Sequence, residues 1–227
     1  MLLRSTAVLL SAIVVLSCGL QPTLSPRTLR YVALGASDSV GVGSADPQSG
    51  SWPARLATRL PSGSKYTNLG VSGSTLSAAF RDQLPAAVSN DPDVVTIWLA
   101  VNDLVQGVLP EIYGSQLGQL LDGLEKRTRA RIFVGDVPDL TQVPAFQSAP
   151  ESRGRIADGV AAYNRVIAGA VSVHGDRVVL VDLHTGTTDV VRGGAVSADG
   201  FHPNDRGYEA IAQRFAESLQ RSGITVR

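Results

Sequence analysis

The chain has 227 residues with 20 basic and 20 acidic side chains, so its formal net charge is zero. This balance excludes the clustered positive charge that nucleic-acid-binding domains need, and a hydrophobic content of 44% excludes a disordered chain. The single cysteine, Cys18, excludes an internal disulfide framework and a cysteine-based metal site. The composition therefore indicates one globular domain that acts as an enzyme or binds a small molecule.

The N-terminus has the pattern of a secretory signal peptide over residues 1–17. Arg4 precedes an apolar run from Ala7 to Leu16, which is too short to cross a bilayer. The run ends at Cys18 and resembles a bacterial lipobox, in which the cysteine becomes the lipidated first residue of the mature protein. Residues 18–29 then form a tether rich in Pro, Thr and Ser. We expect an exported protein attached to the cell envelope through Cys18, or a secreted one if the cysteine is incidental.

Strand and helix patterns alternate from residue 30 onward. Apolar, β-branched runs predict five strands, at residues 31–34, 66–69, 94–99, 131–134 and 177–183. Helical spacing of apolar residues predicts the intervening helices, whose stripes are Trp52/Leu56/Leu60, Leu76/Phe80/Leu84/Val88, Leu117/Leu120/Leu121/Leu124, Ile156/Val160/Tyr163/Ile167/Val171 and Tyr208/Ile211/Phe215/Leu219. The alternation predicts a single α/β domain over residues 30–227, with a parallel sheet between two helical layers.

Polar residues follow every predicted strand, at the edge where such sheets bind ligands. They are Ser37, Asp38 and Ser39 after the first strand, Asn68–Thr75 after the second, Asn102 and Asp103 after the third, Asp136 and Asp139 after the fourth, and His184–Asp205 after the fifth. Acyl transfer needs a nucleophile, a base, an acid that orients the base, and donors for an oxyanion. This edge offers all of these groups.

Four segments at these strand ends resemble the blocks that define the SGNH, or GDSL-type, hydrolases and esterases. Each segment is a weak signal alone, but four in the right order on predicted strand ends are specific. The resemblance extends over about residues 30–220. The segments are Tyr31–Gly41, Asn68–Thr75, Ala100–Asp103 and Asp199–Asn204.

The resemblance implies a flavodoxin-like three-layer fold and a serine esterase that needs no metal or organic cofactor. It implies that Ser37 is the nucleophile, His202 the base and Asp199 the acid of a catalytic triad. The oxyanion hole would consist of the Ser37 and Gly73 backbone N–H groups and the Asn102 side chain. The expected substrate is a small-molecule ester, but the family includes lipases, thioesterases and carbohydrate deacetylases, and the sequence does not choose among them.

Two positions depart from the family pattern. The residue before the nucleophile, usually aspartate, is Ala36, and Asp38 stands on the other side of the serine. The third block normally opens with glycine, where this chain has Ala100. If that position required a positive φ angle, alanine would strain the backbone by about 1 kcal/mol or more. We expect these two departures to modify the activity of the site and not to abolish it.

Some residues offer alternative assignments. Ser39 is a second candidate nucleophile, and Asp182 could rival Asp199 as the orienting acid. Asp38, Asp103 and Asp136 together could suggest a cation site, although none is required by the chemistry. The register from the preceding glycine favours Ser37.

Two other classes of protein remain as alternatives. An α/β-hydrolase shares the chain order Ser, Asp, His, but it carries G-x-S-x-G on a strand in mid-chain, whereas this serine follows the first strand. A non-catalytic surface lipoprotein could bind lipid or glycan in the same cleft, and the departures at Ala36 and Ala100 motivate that hypothesis. His174 and His184 are expected to be structural or surface residues.

Overall fold

The computed structural model describes residues 27–147 and 150–227. The predicted signal peptide and the predicted lipidation site at Cys18 lie outside these residues. Leu29, assigned to the tether by its sequence, packs against the core, and its backbone oxygen accepts a hydrogen bond from the Lys65 N–H at 2.8 Å. Within the described residues, no helix has both the length and the apolar character needed to cross a membrane.

A five-stranded parallel sheet forms the centre of the domain. Its spatial order is β2-β1-β3-β4-β5, which is the flavodoxin-like order that the resemblance implied. The predicted fold class is therefore confirmed. The strands are β1 Arg30–Gly35, β2 Lys65–Asn68, β3 Val94–Trp98, β4 Arg131–Gly135 and β5 Val178–Val181.

Helices cover both faces of this sheet. The α-helices are α1 Ser37–Val40, α2 Pro47–Gly50, α3 Trp52–Thr58, α4 Leu76–Ala78, α5 Leu84–Ser89, α6 Val101–Val105, α7 Pro110–Arg127, α8 Pro150–Ser172, α9 Thr187–Arg192 and α10 Asp205–Arg221. A π-helical turn, Ala79–Gln83, joins α4 to α5, and 3-10 turns lie at Leu140–Gln142, Pro144–Phe146 and Gly175–Arg177. Each connection carries the chain from the carboxyl edge of the sheet back to the amino edge, where the next parallel strand begins.

Alternating strand residues supply two separate hydrophobic cores. Val32, Leu34 and Val95 point into one core, which α5, α7 and α8 cover. Tyr31, Ala33 and neighbouring strand residues point into the other, which α3 and α10 cover. Burial of both sheet faces explains why β1, β3 and β4 are nearly continuous apolar runs, whereas the edge strand β2, Lys-Tyr-Thr-Asn, is only partly buried.

The order of the strands reverses between β1 and β3. Gly35, the last residue of β1, pairs with Trp98, the last residue of β3, so these two strands end at the same level. The loops that follow them diverge from this point, which creates a crevice at the carboxyl edge of the sheet. Ser37 follows one of these strands and Asn102 follows the other.

The helix predicted from Leu76 to Val88 differs from its expected form. A π-helical turn over Ala79–Gln83 interrupts it, and an extra residue in one turn rotates the side chains that precede it. Phe80, predicted to lie on the buried face, is therefore 39% exposed, while Gln83 is buried. The apolar spacing matches a regular helix, so the sequence alone did not reveal this interruption.

Candidate active site

Ser37 lies immediately beyond the end of β1. Gly35 ends the strand, and Ser37 begins the short helix α1, in which its side chain is largely buried. As the first residue of α1, Ser37 has a backbone N–H without an acceptor inside the helix. A Cβ atom at Gly35 would lie 1.9 Å from Ser39 Oγ, so only glycine permits α1 to pack this closely against the strand.

Ser37, His202 and Asp199 form a continuous chain of polar contacts. The Nε2 atom of His202 lies 3.0 Å from Ser37 Oγ, although the two residues are 165 positions apart. The Nδ1 atom of His202 lies 2.6 Å from Asp199 Oδ2. Because the carboxylate accepts a hydrogen bond from the Nδ1–H group, the imidazole has the tautomer in which Nε2 can accept the serine proton.

Four donors surround the Asp199 carboxylate. Its Oδ1 accepts hydrogen bonds from the Ser197 hydroxyl and from the backbone N–H groups of Phe201 and His202, at 2.7, 2.8 and 2.9 Å. Burial disfavours its charge, but the hydrogen bonds from His202, Phe201 and Ser197 outweigh burial and lower the pKa of Asp199 well below its usual value. Asp199 is therefore ionised at neutral pH and holds the imidazole in place.

The loop that carries His202 is closed by its own backbone. The Ser197 N–H donates to the His202 carbonyl oxygen at 2.8 Å, and Val196 pairs with Pro203 in an isolated antiparallel bridge. Asn204 then caps α10, since its side chain accepts from the N–H groups at the start of the helix. The loop and the helix start therefore form one unit that fixes the position of the imidazole.

Asn102 and Gly73 follow β3 and β2, the two strands that flank β1 in the sheet. Asn102 and Ser37 line the same small cavity, and the Asn102 Nδ2 donates one hydrogen bond to the Ser74 carbonyl oxygen at 2.9 Å. This bond orients the amide and leaves its second hydrogen available. Gly73 has a φ angle of 77°, a value that favours glycine, and no atom lies within 4 Å of where its Cβ would be.

Ala100 has a backbone conformation that alanine rarely adopts. Its φ and ψ angles are 89° and −42°, and it is one of two non-glycine residues with positive φ in the described part of the chain. This is the position at which the family normally has glycine, and the sequence alone did not determine the angle. The strained residue directly precedes α6 and places Asn102 in the first turn of that helix.

Gln83 is a buried side chain near the site that sequence reasoning missed. Its Oε1 accepts from the Gly35 N–H at 3.0 Å, and its Nε2 donates to the Gly35 carbonyl oxygen at 2.9 Å and to Ser74 Oγ at 3.1 Å. The amide therefore links the residue before the nucleophile segment to the loop that orients Asn102. A lone glutamine within an apolar helical stripe was the only available signal.

The alternative site residues have other surroundings. Ser39 is fully buried, and its hydroxyl has no hydrogen-bond partner among the described residues. Asp182 accepts from the Thr185 N–H at 2.8 Å. His174 Nδ1 lies 2.8 Å from Glu125 Oε2, and His184 Nδ1 lies 3.2 Å from the Val137 carbonyl oxygen. The contacts of Asp182, His174 and His184 stabilise the segments in which these three residues lie.

Two further aspartates tie neighbouring loops together. The Asp103 carboxylate accepts from the Leu76 N–H at 3.0 Å, and Asp136 Oδ1 accepts from the N–H groups of Leu183 and His184 at 2.7 and 3.0 Å. Burial raises the pKa of each carboxyl to about 6, although the backbone donors partly oppose that effect. Among residues 27–147 and 150–227, no group of three or more His, Cys, Asp or Glu side chains is arranged to hold a metal.

A flavodoxin-like sheet with contacting Ser, His and Asp side chains at its carboxyl edge is the arrangement of a serine hydrolase. A family model described as the GDSL-like lipase/acylhydrolase family matches residues 33–210. The chain therefore belongs to the GDSL-like lipase/acylhydrolase family.

Individual relatives agree with this family. A multidomain esterase from Ruminococcus flavefaciens is 27% identical over 135 residues, which are 57% of this chain and 16% of that protein. The chain thus spans about a sixth of the length of this curated relative.

Solved structures share the fold at low sequence identity. An extracellular lipase from Streptomyces rimosus is 20% identical with a TM-score of 0.65, covering 85% of this chain and 100% of that one. A family 3 carbohydrate esterase from Clostridium thermocellum is 22% identical with a TM-score of 0.63, covering 86% and 96% respectively.

Proposed function

We propose that this protein is a serine esterase that hydrolyses carboxylic esters of small or medium acyl groups through an acyl-enzyme intermediate. The observation that carries the proposal is the chain of contacts from Ser37 Oγ to His202 Nε2 and from His202 Nδ1 to Asp199. A serine hydroxyl is a weak nucleophile near neutral pH, and an adjacent imidazole in the correct tautomer activates it.

The first half of the reaction forms the acyl-enzyme. Ser37 Oγ attacks the carbonyl carbon of the ester while its proton passes to His202 Nε2. The oxyanion that develops accepts hydrogen bonds from the Ser37 and Gly73 backbone N–H groups and from the free hydrogen of the Asn102 amide. The imidazolium then gives its proton to the departing alcohol, and the C–O bond breaks.

The second half of the reaction releases the acid. Water attacks the Ser37 ester while His202 accepts a proton from the water, and the same donors stabilise the second tetrahedral intermediate. Collapse returns the proton to Ser37 and frees the carboxylic acid. Asp199 remains ionised throughout and stabilises the imidazolium, which its low pKa supports.

The family and the shape of the site both support a carboxylic ester as the substrate. The structures named above include a lipase and a carbohydrate esterase, so resemblance alone does not identify the alcohol part of the substrate. The rival proposal is a non-catalytic lipoprotein that binds lipid or glycan in the same crevice. The close contact between Ser37 and His202 favours catalysis, because binding alone would not require it.

Fluorophosphonate labelling tests the proposed nucleophile. We expect the purified wild-type protein to form a covalent adduct, Ser37→Ala to form none, and Ser39→Ala to label like the wild type. Ser39→Ala is a matched control because it removes a hydroxyl two residues away without touching His202. A folded wild-type protein that forms no adduct and hydrolyses no p-nitrophenyl ester would contradict the esterase proposal.

The proposed location needs a separate experiment. Lipidation at Cys18 predicts that the full-length protein fractionates with membranes and that Cys18→Ser releases it from them. Equal amounts of wild type and Cys18→Ser in the membrane fraction would contradict lipid attachment. The esterase proposal is independent of that result, because it rests on Ser37, Asp199 and His202 and not on Cys18.

A further inference from the structure

An apolar cavity of about 110 Å³ lies beside the catalytic residues, between the ends of β3, β4 and β5 and the start of α10. Its walls come from segments distant in sequence, and their apolar side chains range from buried to partly exposed. The apolar side chains on its wall include Trp98, Leu140, Val143, Leu183, Val191 and Ile211. Such a preformed cavity favours an alkyl group, since its surface is already removed from water.

This cavity is a neighbour of the small niche that contains Ser37 and Asn102. Trp98, Val101 and Phe201 contribute to the walls of both spaces, and so does Asp38. Phe201 lines both spaces, and its ring packs edge-on against the His202 ring. A group attached to Ser37 could therefore extend past Phe201 into the cavity.

The cavity wall carries two charged side chains, the basic Arg214, which donates to the Thr185 carbonyl oxygen at 2.7 Å, and the acidic Asp38. Asp38 directly follows Ser37 in the chain, and among the described residues no other side chain donates a hydrogen bond to its carboxylate. Burial raises the pKa of Asp38 to about 6, while the charge of His202 and its own backbone N–H favour the ionised form. A carboxylate in an apolar wall is stabilised by a ligand that brings a hydrogen-bond donor.

We propose that this cavity binds the acyl chain of the ester, and that Asp38 selects short acyl chains that carry a hydroxyl or ammonium group. The inference rests on the proposed esterase function and names its substrate class. The acyl part is assigned to the cavity because it stays bonded to Ser37 until water attacks, whereas the alcohol must reach solvent before that step. An enclosed space suits the part of the substrate that remains.

The size of the cavity sets the expected chain length. An apolar cavity of about 150 Å³ holds a six-carbon ring, so 110 Å³ corresponds to an acyl chain of about four carbons. Each buried methylene contributes about fourfold to kcat/KM, and the gain ends where the cavity is full. We therefore expect kcat/KM to rise from acetate to butyrate and to fall for octanoate.

Filling the cavity tests where the acyl chain binds. Val191→Phe, which adds volume to the wall, should lower kcat/KM for p-nitrophenyl butyrate by at least tenfold relative to the acetate. Val173→Phe is a matched control, because Val173 is 77% exposed and lies outside the cavity. An unchanged ratio in a Val191→Phe variant with normal thermal unfolding would overturn the assignment, as would an effect confined to a series of acetate esters with longer alcohols.

Replacing the carboxylate tests its part in selection. The wild-type protein should prefer the p-nitrophenyl esters of 3-hydroxybutyrate and 3-aminobutyrate over butyrate. Asp38→Leu should lower both preference ratios at least tenfold, while Asp38→Asn, which keeps a neutral acceptor, should retain the hydroxyl preference and lose the ammonium preference. Equal ratios in the wild type and in Asp38→Leu would contradict selection by Asp38.

The outcomes separate this inference from the function on which it rests. If no ester is hydrolysed and Ser37 forms no fluorophosphonate adduct, the esterase proposal itself fails. If p-nitrophenyl acetate is hydrolysed in a Ser37-dependent way but Val191→Phe and Asp38→Leu change no substrate ratio, the esterase proposal stands and the inference about the cavity fails.

Discussion

The side-chain amide of Gln83 pairs with the backbone of Gly35 in both directions, accepting from its N–H at 3.0 Å and donating to its carbonyl oxygen at 2.9 Å. A buried backbone group normally finds a partner within the sheet, but Gly35 lies where β1 ends. Gln83 supplies an acceptor for the Gly35 N–H and a second donor, beside the Val71 N–H at 3.2 Å, for the Gly35 carbonyl oxygen, and its bond to Ser74 Oγ holds the neighbouring loop as well. The glutamine thus fixes two segments on which the catalytic groups lie, without touching Ser37.

Gln83→Leu should weaken both the fold and catalysis. Loss of the amide removes the acceptor of the buried Gly35 N–H and leaves the Gly35 carbonyl oxygen with the Val71 N–H as its donor, which costs about 1–3 kcal/mol in the free energy of unfolding. Displacement of the nucleophile segment should lower kcat by about 10- to 100-fold with little change in KM, because Gln83 is not part of the cavity wall. Steady-state kinetics and urea unfolding measure the two effects.

Gln119→Leu provides the matched control for this substitution, since Gln119 is exposed on α7. A purely structural role for Gln83 would lower stability and leave kcat unchanged in the folded fraction. That result would contradict the positioning role.

Ala100→Gly should stabilise the protein. Alanine at a φ angle of 89° carries strain that glycine relieves, so we expect a gain of about 1 kcal/mol and a rise in Tm of about 2–4 °C. Ala161, exposed in the middle of α8, is the control, because Ala161→Gly should lose about 1 kcal/mol at an ordinary helical angle. Differential scanning calorimetry distinguishes the two signs, and a loss of stability at both positions would refute the strain argument.

Asp199→Asn should reduce kcat by about 10³- to 10⁴-fold with the fold intact, because an amide no longer selects the tautomer that lets His202 Nε2 accept a proton. Asp182→Asn is the control, since that carboxylate accepts from the Thr185 backbone N–H and bonds to no histidine side chain among the described residues. We expect near-normal kcat for Asp182→Asn on p-nitrophenyl acetate. If the two variants lost the same activity, Asp199 would not be the orienting acid.

Asp103 should make the stability of the wild-type protein depend on pH. Burial raises its pKa to about 6 from an ordinary value of 3.8, so between these values the folded protein keeps a proton that the unfolded chain releases. Its contribution is therefore fully present below about pH 4 and is lost as pH rises to about 6. Relative to the wild type, Asp103→Asn should gain about 2 kcal/mol in the free energy of unfolding between pH 4 and pH 7.

Urea unfolding at a series of pH values measures this difference. Asp158→Asn, which removes an exposed carboxylate from α8, serves as the control. A stability difference between Asp103→Asn and wild type that stays constant across the series would show that Asp103 has an ordinary pKa in the folded protein.

Much of the fold followed from local patterns in the chain. The five strands were predicted with ends close to those observed, and β1, β3 and β4 were the clearest because a strand buried on both faces requires consecutive apolar and β-branched residues. The helix stripes located α3, α7, α8 and α10 for a similar reason, since each covers one face of the sheet. The π-helical turn before α5 was not predicted, because the apolar residues in this segment are spaced as in a regular helix.

The candidate site divides in the same way. The sequence by itself determined which residue types stand at the strand ends, since Ser37, Asn102 and His202 lie in short local motifs. Only the tertiary structure decided that Ser37 Oγ lies 3.0 Å from His202 Nε2, that Ala100 is strained, and that Gln83 reaches Gly35. Local patterns reflect which face of an element is buried, whereas distances between remote residues depend on how whole layers pack, and that information is spread over the entire chain.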